Sequence, residues 1–209
     1  MRNPFRARGG AVDWLIVGLG NPGPEHDSTR HNVGFRVALA LAERWRLDAW
    51  KERFRGRIAE GQVDLEVGGE LGGGGARVPA RARAAILCPQ TFMNEAGRSV
   101  GPARGALRVE LGRVLVVHDE IDLPFGEVRS RTGGGLAGHN GLRSVKRELG
   151  SADFARVRVG VGRPDSSDPE IVSAYVLGRF REPPEQVQAL IARSCDEVER
   201  LVREAALAN

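Results

Sequence analysis

A short apolar run, Trp14-Leu15-Ile16-Val17, stops at Gly18-Leu19-Gly20-Asn21-Pro22-Gly23, and helical spacing resumes only near Asn32. Four apolar residues in a row leave no polar face, so the run reads as a buried strand ended by glycine. The chain then delivers Thr29-Arg30-His31-Asn32, after which Val33, Val37 and Leu41 recur at helical intervals with Ala38, Ala42 and Trp45 beside them. A helix is expected over Asn32–Arg46. Open α/β sheets hold their ligands outside the carboxyl ends of strands. A strand that carries an Asn and a His past that end is therefore building a site.

The same alternation continues down the chain. One or two strands are expected over Arg53–Val67, a strand at Ala84–Cys88 stopped by Pro89, and another at Val114–Val117 running into His118-Asp119-Glu120. Gly126–Arg131 reads as a further strand. Val157, Val159 and Val161 alternate with Arg158 and Gly160, the pattern of a half-buried strand. Helices are expected from Asn94, as N-cap, to about Leu107, with Gly101-Pro102 as a candidate break. Another runs from His139-Asn140 to Leu149, and a last one begins at Pro183-Pro184 with an apolar stripe through Val187, Leu190, Ile191, Val198, Leu201 and Val202. Strand and helix alternating throughout make the class α/β.

A chain of 209 residues suits one domain. The expected division is a basic N-terminal extension over 1–12 and a single domain over 13–209, with Gly68–Arg83 as a flexible glycine-rich hairpin tip or insertion. The formal charge of +4 permits a polyanionic partner without requiring one. Cys88 and Cys195, without C-x-x-C spacing, form neither a disulfide framework nor a zinc knuckle, which points to a reducing cytoplasm. No apolar stretch approaches the roughly 20 residues of a membrane span, and the arginines at the start precede no apolar segment of a secretory signal. Aromatic residues make up only 5 %, too few for a platform that stacks single-stranded bases.

Polar signatures gather where the strands end: Asn21 and His31 after the first, Met93 and Asn94 after Ala84–Cys88, Asp119 after Val114–Val117. His139-Asn140 opens a helix after the glycine-rich loop. His31 is the candidate general base, since an imidazole with an ordinary pKa near 6.5 is largely neutral at pH 7. Asp119 is the candidate acid that accepts from its other nitrogen and fixes the tautomer. Asn21, Asn94 and Asn140 both donate and accept hydrogen bonds, which suits a substrate rich in amides, hydroxyls or an ester. Each is equally a natural turn former or helix cap.

Competing motifs fit less well. Gly18–Gly23 satisfies G-x-G-x-x-G, but the dinucleotide fingerprint needs a helix opening at the glycines, and Pro22 and Pro24 intervene. Gly97-Arg98-Ser99-Val100-Gly101 satisfies G-x-S-x-G, yet Ser99 falls inside an expected helix rather than on a strand-to-helix elbow. A metal set from His118-Asp119, His31 and His139 is disfavoured because adjacent strand residues face opposite ways. Cys88, at a strand end, reads as a small buried hydrophobe. Late in the chain Arg129, Arg131, Arg143, Lys146, Arg147, Arg156 and Arg158 cluster; Arg129 and Arg131 share a face at the strand period. They are either a solvated face or a clamp for phosphate.

GLGNPG with TRHNVG, then PQTFMN, VVHDEIDLPFG and GGGLAGHNGL, in that order, resemble the bacterial-type peptidyl-tRNA hydrolase family over about Trp14–Phe180. The resemblance implies a mixed central sheet flanked by helices and metal-independent, cofactor-free cleavage of the ester joining a peptide to tRNA. It implies His31 as base, Asp119 as its orienting acid and Asn21 in the catalytic set. His26, Met93, Asn94, His139 and Asn140 would line the substrate crevice. Arg129 and Arg131 would grip the terminal phosphate of the tRNA acceptor stem, and Arg158 would be a further tRNA contact. A cytoplasmic monomer is expected. His26 stands where the family usually has Tyr, and Ala137 replaces a glycine common before the Gly-His-Asn-Gly turn. Two alternatives are a non-catalytic, splicing-associated RNA-binding member of the fold and a serine esterase using Ser99.

Overall fold

The computed structural model describes residues 12–67 and 78–207, with backbone only at 66–67 and 78–80. In chain order the elements are β1 (Trp14–Gly18), α1 (Val33–Arg44), β2 (Lys51–Arg53), β3 (Gly56–Val67), β4 (Val78–Pro89), α2 (Gly97–Leu107), β5 (Val114–Glu120), β6 (Val128–Thr132), α3 (Asn140–Leu149), β7 (Ala155–Gly160), α4 (Pro169–Leu177) and α5 (Pro184–Leu207). Among the described residues the strands form one sheet, in the order β2-β3-β4-β1-β5-β7-β6. β1 runs parallel to β4 and β5, and β5 parallel to β7. The flanking pairs β2–β3, β3–β4 and β6–β7 are antiparallel, so the sheet is mixed. The molecule is a single α/β domain.

Two apolar layers explain the uninterrupted strand sequences. Ile16, Ile86, Leu115, Val117, Val157 and Val159 pack beneath α1 and α5. Leu15, Val17, Ala85, Leu87, Val114 and Val116 face α2 and α3. A strand covered on both faces has no polar side to show, which is why β1 and β5 read as solid apolar runs. Among the described residues no helix is long and apolar enough to cross a membrane.

Several expectations are corrected. Val78–Arg83, assigned to the glycine-rich insertion, belongs to β4 and pairs with β3. Arg81 and Arg83 point to solvent and alternate with buried Ala82 and Ala84, so charge on one face hid a strand. The rest of that insertion, 68–77, and residues 1–11 of the expected extension lie outside the described residues. Val12, placed with the extension, is buried in the α2–α3 layer. Asn94 does not cap α2; it sits within a 3-10 turn at Met93–Glu95, and α2 begins at Gly97. Nor does Pro102 break α2: it lies on the exposed side, and the helix continues through it to Leu107. β7 is covered on both faces rather than half-buried. α4 was not expected, since Ile171, Val172, Ala174, Tyr175, Val176 and Leu177 surround it without forming a stripe. Its local signal was Asp168, whose Oδ1 accepts from Glu170 N at 2.8 Å, ahead of Pro169.

α2 and α3 cross at a glycine. Gly97 N donates to Ser144 Oγ at 3.0 Å, and a Cβ on Gly97 would collide with the Ser144 backbone carbonyl. Gly97→Ala should therefore lower stability by about 1–3 kcal/mol, as overpacking in tight interiors does. The measurement is a fall in the denaturant midpoint at unchanged slope; an unshifted midpoint would show that the helices part freely.

Candidate active site

β1, β4 and β5 end side by side, and the segments that follow them border a cavity of about 880 Å³. The 3-10 turn at Arg30–Asn32 supplies His31 from ahead of α1, the Met93–Glu95 turn supplies Met93 and Asn94, and the end of β5 supplies Asp119. His139 and Asn140 enter from the start of α3. α4 closes the opposite side.

At its base Asp119 accepts from two imidazoles. His31 Nδ1 lies 2.9 Å and 3.0 Å from its two oxygens, and His139 Nε2 lies 3.0 Å from Oδ1. Backbone amides decide the His139 tautomer. Its Nδ1 accepts from Gly141 N at 3.1 Å and Leu142 N at 3.3 Å, capping α3, so the ring proton must be on Nε2, facing the carboxylate. Asp119 in turn holds the His31 proton on Nδ1, and no described residue hydrogen-bonds His31 Nε2. His118 Nδ1 donates to the Asp119 backbone oxygen at 2.7 Å, and its ring meets His139 edge-on at 5.0 Å.

Electrostatics follow from this packing. Burial alone would lower the His31 pKa, but the charge of Asp119 and its hydrogen bond outweigh that, and the net shift is upward from 6.5. Burial would raise Asp119; the facing His31 and His139 reverse this and hold it well below the usual carboxylate range. Burial, with His139 adding to it, pushes His118 down to about 3, so His118 is neutral.

Asn21 is oriented by its partners. Its Oδ1 accepts from Met93 N at 2.7 Å, which leaves the amide N–H₂ as a donor at the cavity wall. Asn21 and Asn32 lock reciprocally: Asn21 N donates to Asn32 Oδ1, and Asn32 Nδ2 to Asn21 O, each at 2.9 Å. Sequence reasoning missed Asn32, though it stands next to His31 and is fully buried. It also missed Phe92 and Arg163 on the rim, together with the wall from α4; Arg143, noted only as one of the late basic cluster, stands on the same rim. α4 is tied down by Arg30, whose Nη1 donates to Arg179 O at 2.7 Å and whose guanidinium covers the Tyr175 ring at 4.1 Å.

Some expected residues lie elsewhere. His26 does not line the cavity; its Nε2 is 3.8 Å from Glu25 in the preceding loop. Arg129, Arg131 and Arg158 stand on β6 and β7, outside the lining. Ser99 is fully buried in α2 beside Gly56, away from the cavity, so it has no access to a substrate there. Cys88 is buried, and burial pushes its thiol up to about 12. Although strand alternation turns His118 and Asp119 apart, both border the cavity because His139 packs over the strand end.

His31, Asp119 and His139 have donor atoms within 4.8 Å of one another, close enough for a metal. Yet the His139 nitrogen that faces Asp119 carries a proton and has no lone pair to offer. The geometry is that of a hydrogen-bonded triad. One imidazole nitrogen remains open beside an amide donor in a cleft, which suits proton abstraction from water and stabilisation of a developing oxyanion.

The family model described as peptidyl-tRNA hydrolase matches residues 15–209. A peptidyl-tRNA hydrolase of Sorangium cellulosum is 46% identical over 166 residues, covering 79% of this chain and 67% of that protein. One from Citrifermentans bemidjiense is 40% identical over 191 residues, covering 91% and 92%. The crystal structure of peptidyl-tRNA hydrolase from Acinetobacter baumannii superposes with a TM-score of 0.74 at 33% identity, covering 96% of this chain and 92% of that one.

The Asn21–Asn32 lock makes a prediction of its own. Asn32→Ala strands a buried backbone N–H and C=O, and should lower stability by about 2–4 kcal/mol in denaturant unfolding. Wild-type stability in that variant would mean that other groups hold the loop.

Proposed function

The chain belongs to the peptidyl-tRNA hydrolase family, and from that premise we propose that His31 is the general base for hydrolysis of the peptidyl-tRNA ester. The observation that carries this reading is the His31–Asp119 bond at 2.9 Å with Nε2 left open at the cavity. Neutral His31 takes a proton from water through Nε2 as the water oxygen attacks the ester carbonyl carbon. The carbonyl becomes an oxyanion, and the Asn21 amide and Asn94 stabilise it. As the tetrahedral species collapses, the ester C–O bond breaks and the ribose oxygen takes the proton back from His31. Peptide acid and free tRNA leave. Asp119 steadies the transient imidazolium without accepting its proton, as its depressed pKa requires.

Met93 and Asn140 line the peptide side of the cleft, while His139 holds Asp119 from the other side. The family's function implies tRNA binding. We assign the acceptor stem to the edge that carries Arg129, Arg131 and Arg158, where the exposed guanidiniums of Arg129 and Arg131 face phosphate and half-buried Arg158 stands beside them, paired to Glu120. A monomer is expected, and the cytoplasm, where translation supplies the substrate, is the expected place of work.

His31→Ala should lower kcat on peptidyl-tRNA by about 10²–10⁴-fold while KM moves little. Near-normal release of peptide by that variant would overturn the mechanism.

The pH dependence has a definite sign. Only neutral His31 can act as base, and its pKa lies above 6.5, so activity should fall with a midpoint above 6.5 as pH drops. Asp119→Asn removes the charge that raises the pKa but leaves the burial that lowers it, so the midpoint should move down along with the rate. Stability runs the other way. The pair of protonated His31 with Asp119 contributes fully below about 6.5, and the contribution is lost as pH rises through the higher folded-state value. A flat kcat profile from pH 5 to 8 would exclude a titrating imidazole.

A further inference from the structure

Four arginines form a grid on one face of the β6–β7 pair. Arg129 is in register with Arg158, and Arg131 with Arg156, so all four side chains leave the sheet on the same side. Like charges placed directly opposite are unfavourable. Glu127 answers Arg129 at 2.6 Å, and buried Glu120 answers Arg158 at 2.9 Å. Arg156 differs from the other three. It is only 2% exposed, its two Nη atoms donate to the carbonyls of Gly133 and Gly135, and its Nε has no partner. Arg131 lies over Gly134, where a side chain would collide with its guanidinium. The glycine-rich loop is clasped between two cations.

That loop needs an external hold. Gly133, Gly134, Ala137 and Gly138 have φ of 65°, 80°, 47° and 75°, and for Ala137 this left-handed conformation is strained. Its far end is His139, which donates to Asp119. Burial lowers the pKa of Arg156, and the positive charges of Arg131 and Arg158 lower it further against the opposing effect of Glu120. An anion among these guanidiniums relieves the repulsion.

We propose that Arg156 is a positioning residue: RNA phosphate held by the surrounding arginines strengthens its grip on the Gly133 and Gly135 carbonyls, and the loop so fixed sets His139 against Asp119. This rests on the reading that RNA meets Arg129, Arg131 and Arg158. Occupancy of the sheet edge would then be felt at the triad through one buried side chain.

The test uses two substrates with the same ester, peptidyl-tRNA and a peptidyl-adenosine that lacks the acceptor stem. Wild type should show a higher kcat on peptidyl-tRNA. Arg156→Met should lower that kcat by up to about 100-fold and change kcat on peptidyl-adenosine little, so that the ratio collapses toward one. KM for peptidyl-tRNA and its salt dependence should hold, since Arg156 is out of solvent. Equal wild-type kcat on the two substrates, an unchanged ratio in the variant, or equal slowing of both would overturn the proposal. Should Arg156→Met fail to fold, Arg156→Lys, which keeps the charge but cannot bridge both carbonyls, is read by the same ratio. Arg129→Ala tests the underlying reading separately. It should raise KM and reduce the salt slope by about 1, and no change in either would refute the RNA site whatever Arg156 does.

Discussion

A carboxylate buried at the end of a strand, Asp119, must be met by donors, and the rest of the site is arranged to meet it. An ionised acid removed from water is unfavourable unless paired and hydrogen-bonded. Here the donors are two imidazoles from separate segments, one 88 positions before it and one 20 after. Each ring is fixed in turn. The start of α3 fixes His139 through two backbone amides, and the Asn21–Asn32 lock steadies the turn that carries His31. Two acceptor bonds at its oxygens set Asp119, and with it the one tautomer that leaves His31 Nε2 open.

Close approach of backbones makes these bonds reachable. Gly34, in the first turn of α1, abuts the ends of β1 and β5: a Cβ there would lie 2.5 Å from Leu19 O and collide with Val117 O. Without that contact the turn bearing His31 would stand off from the strand bearing Asp119. Gly141 does the same for α3, where a Cβ would lie 2.5 Å from Met93 Sδ. The two apolar layers then hold the strand ends rigid, so that loops converging from both sides meet at fixed distances.

The sheet also separates two tasks. Parallel β1 and β5 at its centre are apolar and fully buried over Trp14–Val17 and Val114–Val117, and they carry the chemistry at their ends. The antiparallel β6–β7 pair toward one edge carries arginines: Arg129 and Arg131 reach solvent from β6, while Arg156 of β7 is buried and held by the carbonyls of Gly133 and Gly135. The glycine-rich loop leaves the edge at Thr132 and reaches the centre at His139, joining the two regions by chain continuity.

The α/β class, the buried strands and the residues at their carboxyl ends were legible in the sequence, because apolar runs and helical spacing report burial directly. His31, Asp119, Asn21, Met93 and Asn94 could be gathered from strand ends, and His139 and Asn140 from the helix start after the glycine-rich loop; all border one cavity. His26 could not be excluded by motif position, since only the path of its loop takes it from the lining. Arg81 and Arg83 masked a strand by their charge, and α4 left no periodic stripe to read. The sequence by itself determined which groups are available and which strand ends carry them, for those are properties of local pattern. Only the tertiary structure decided which nitrogen of each histidine holds the proton, because that depends on Gly141, Leu142 and Asp119 arriving from different directions at hydrogen-bond distance.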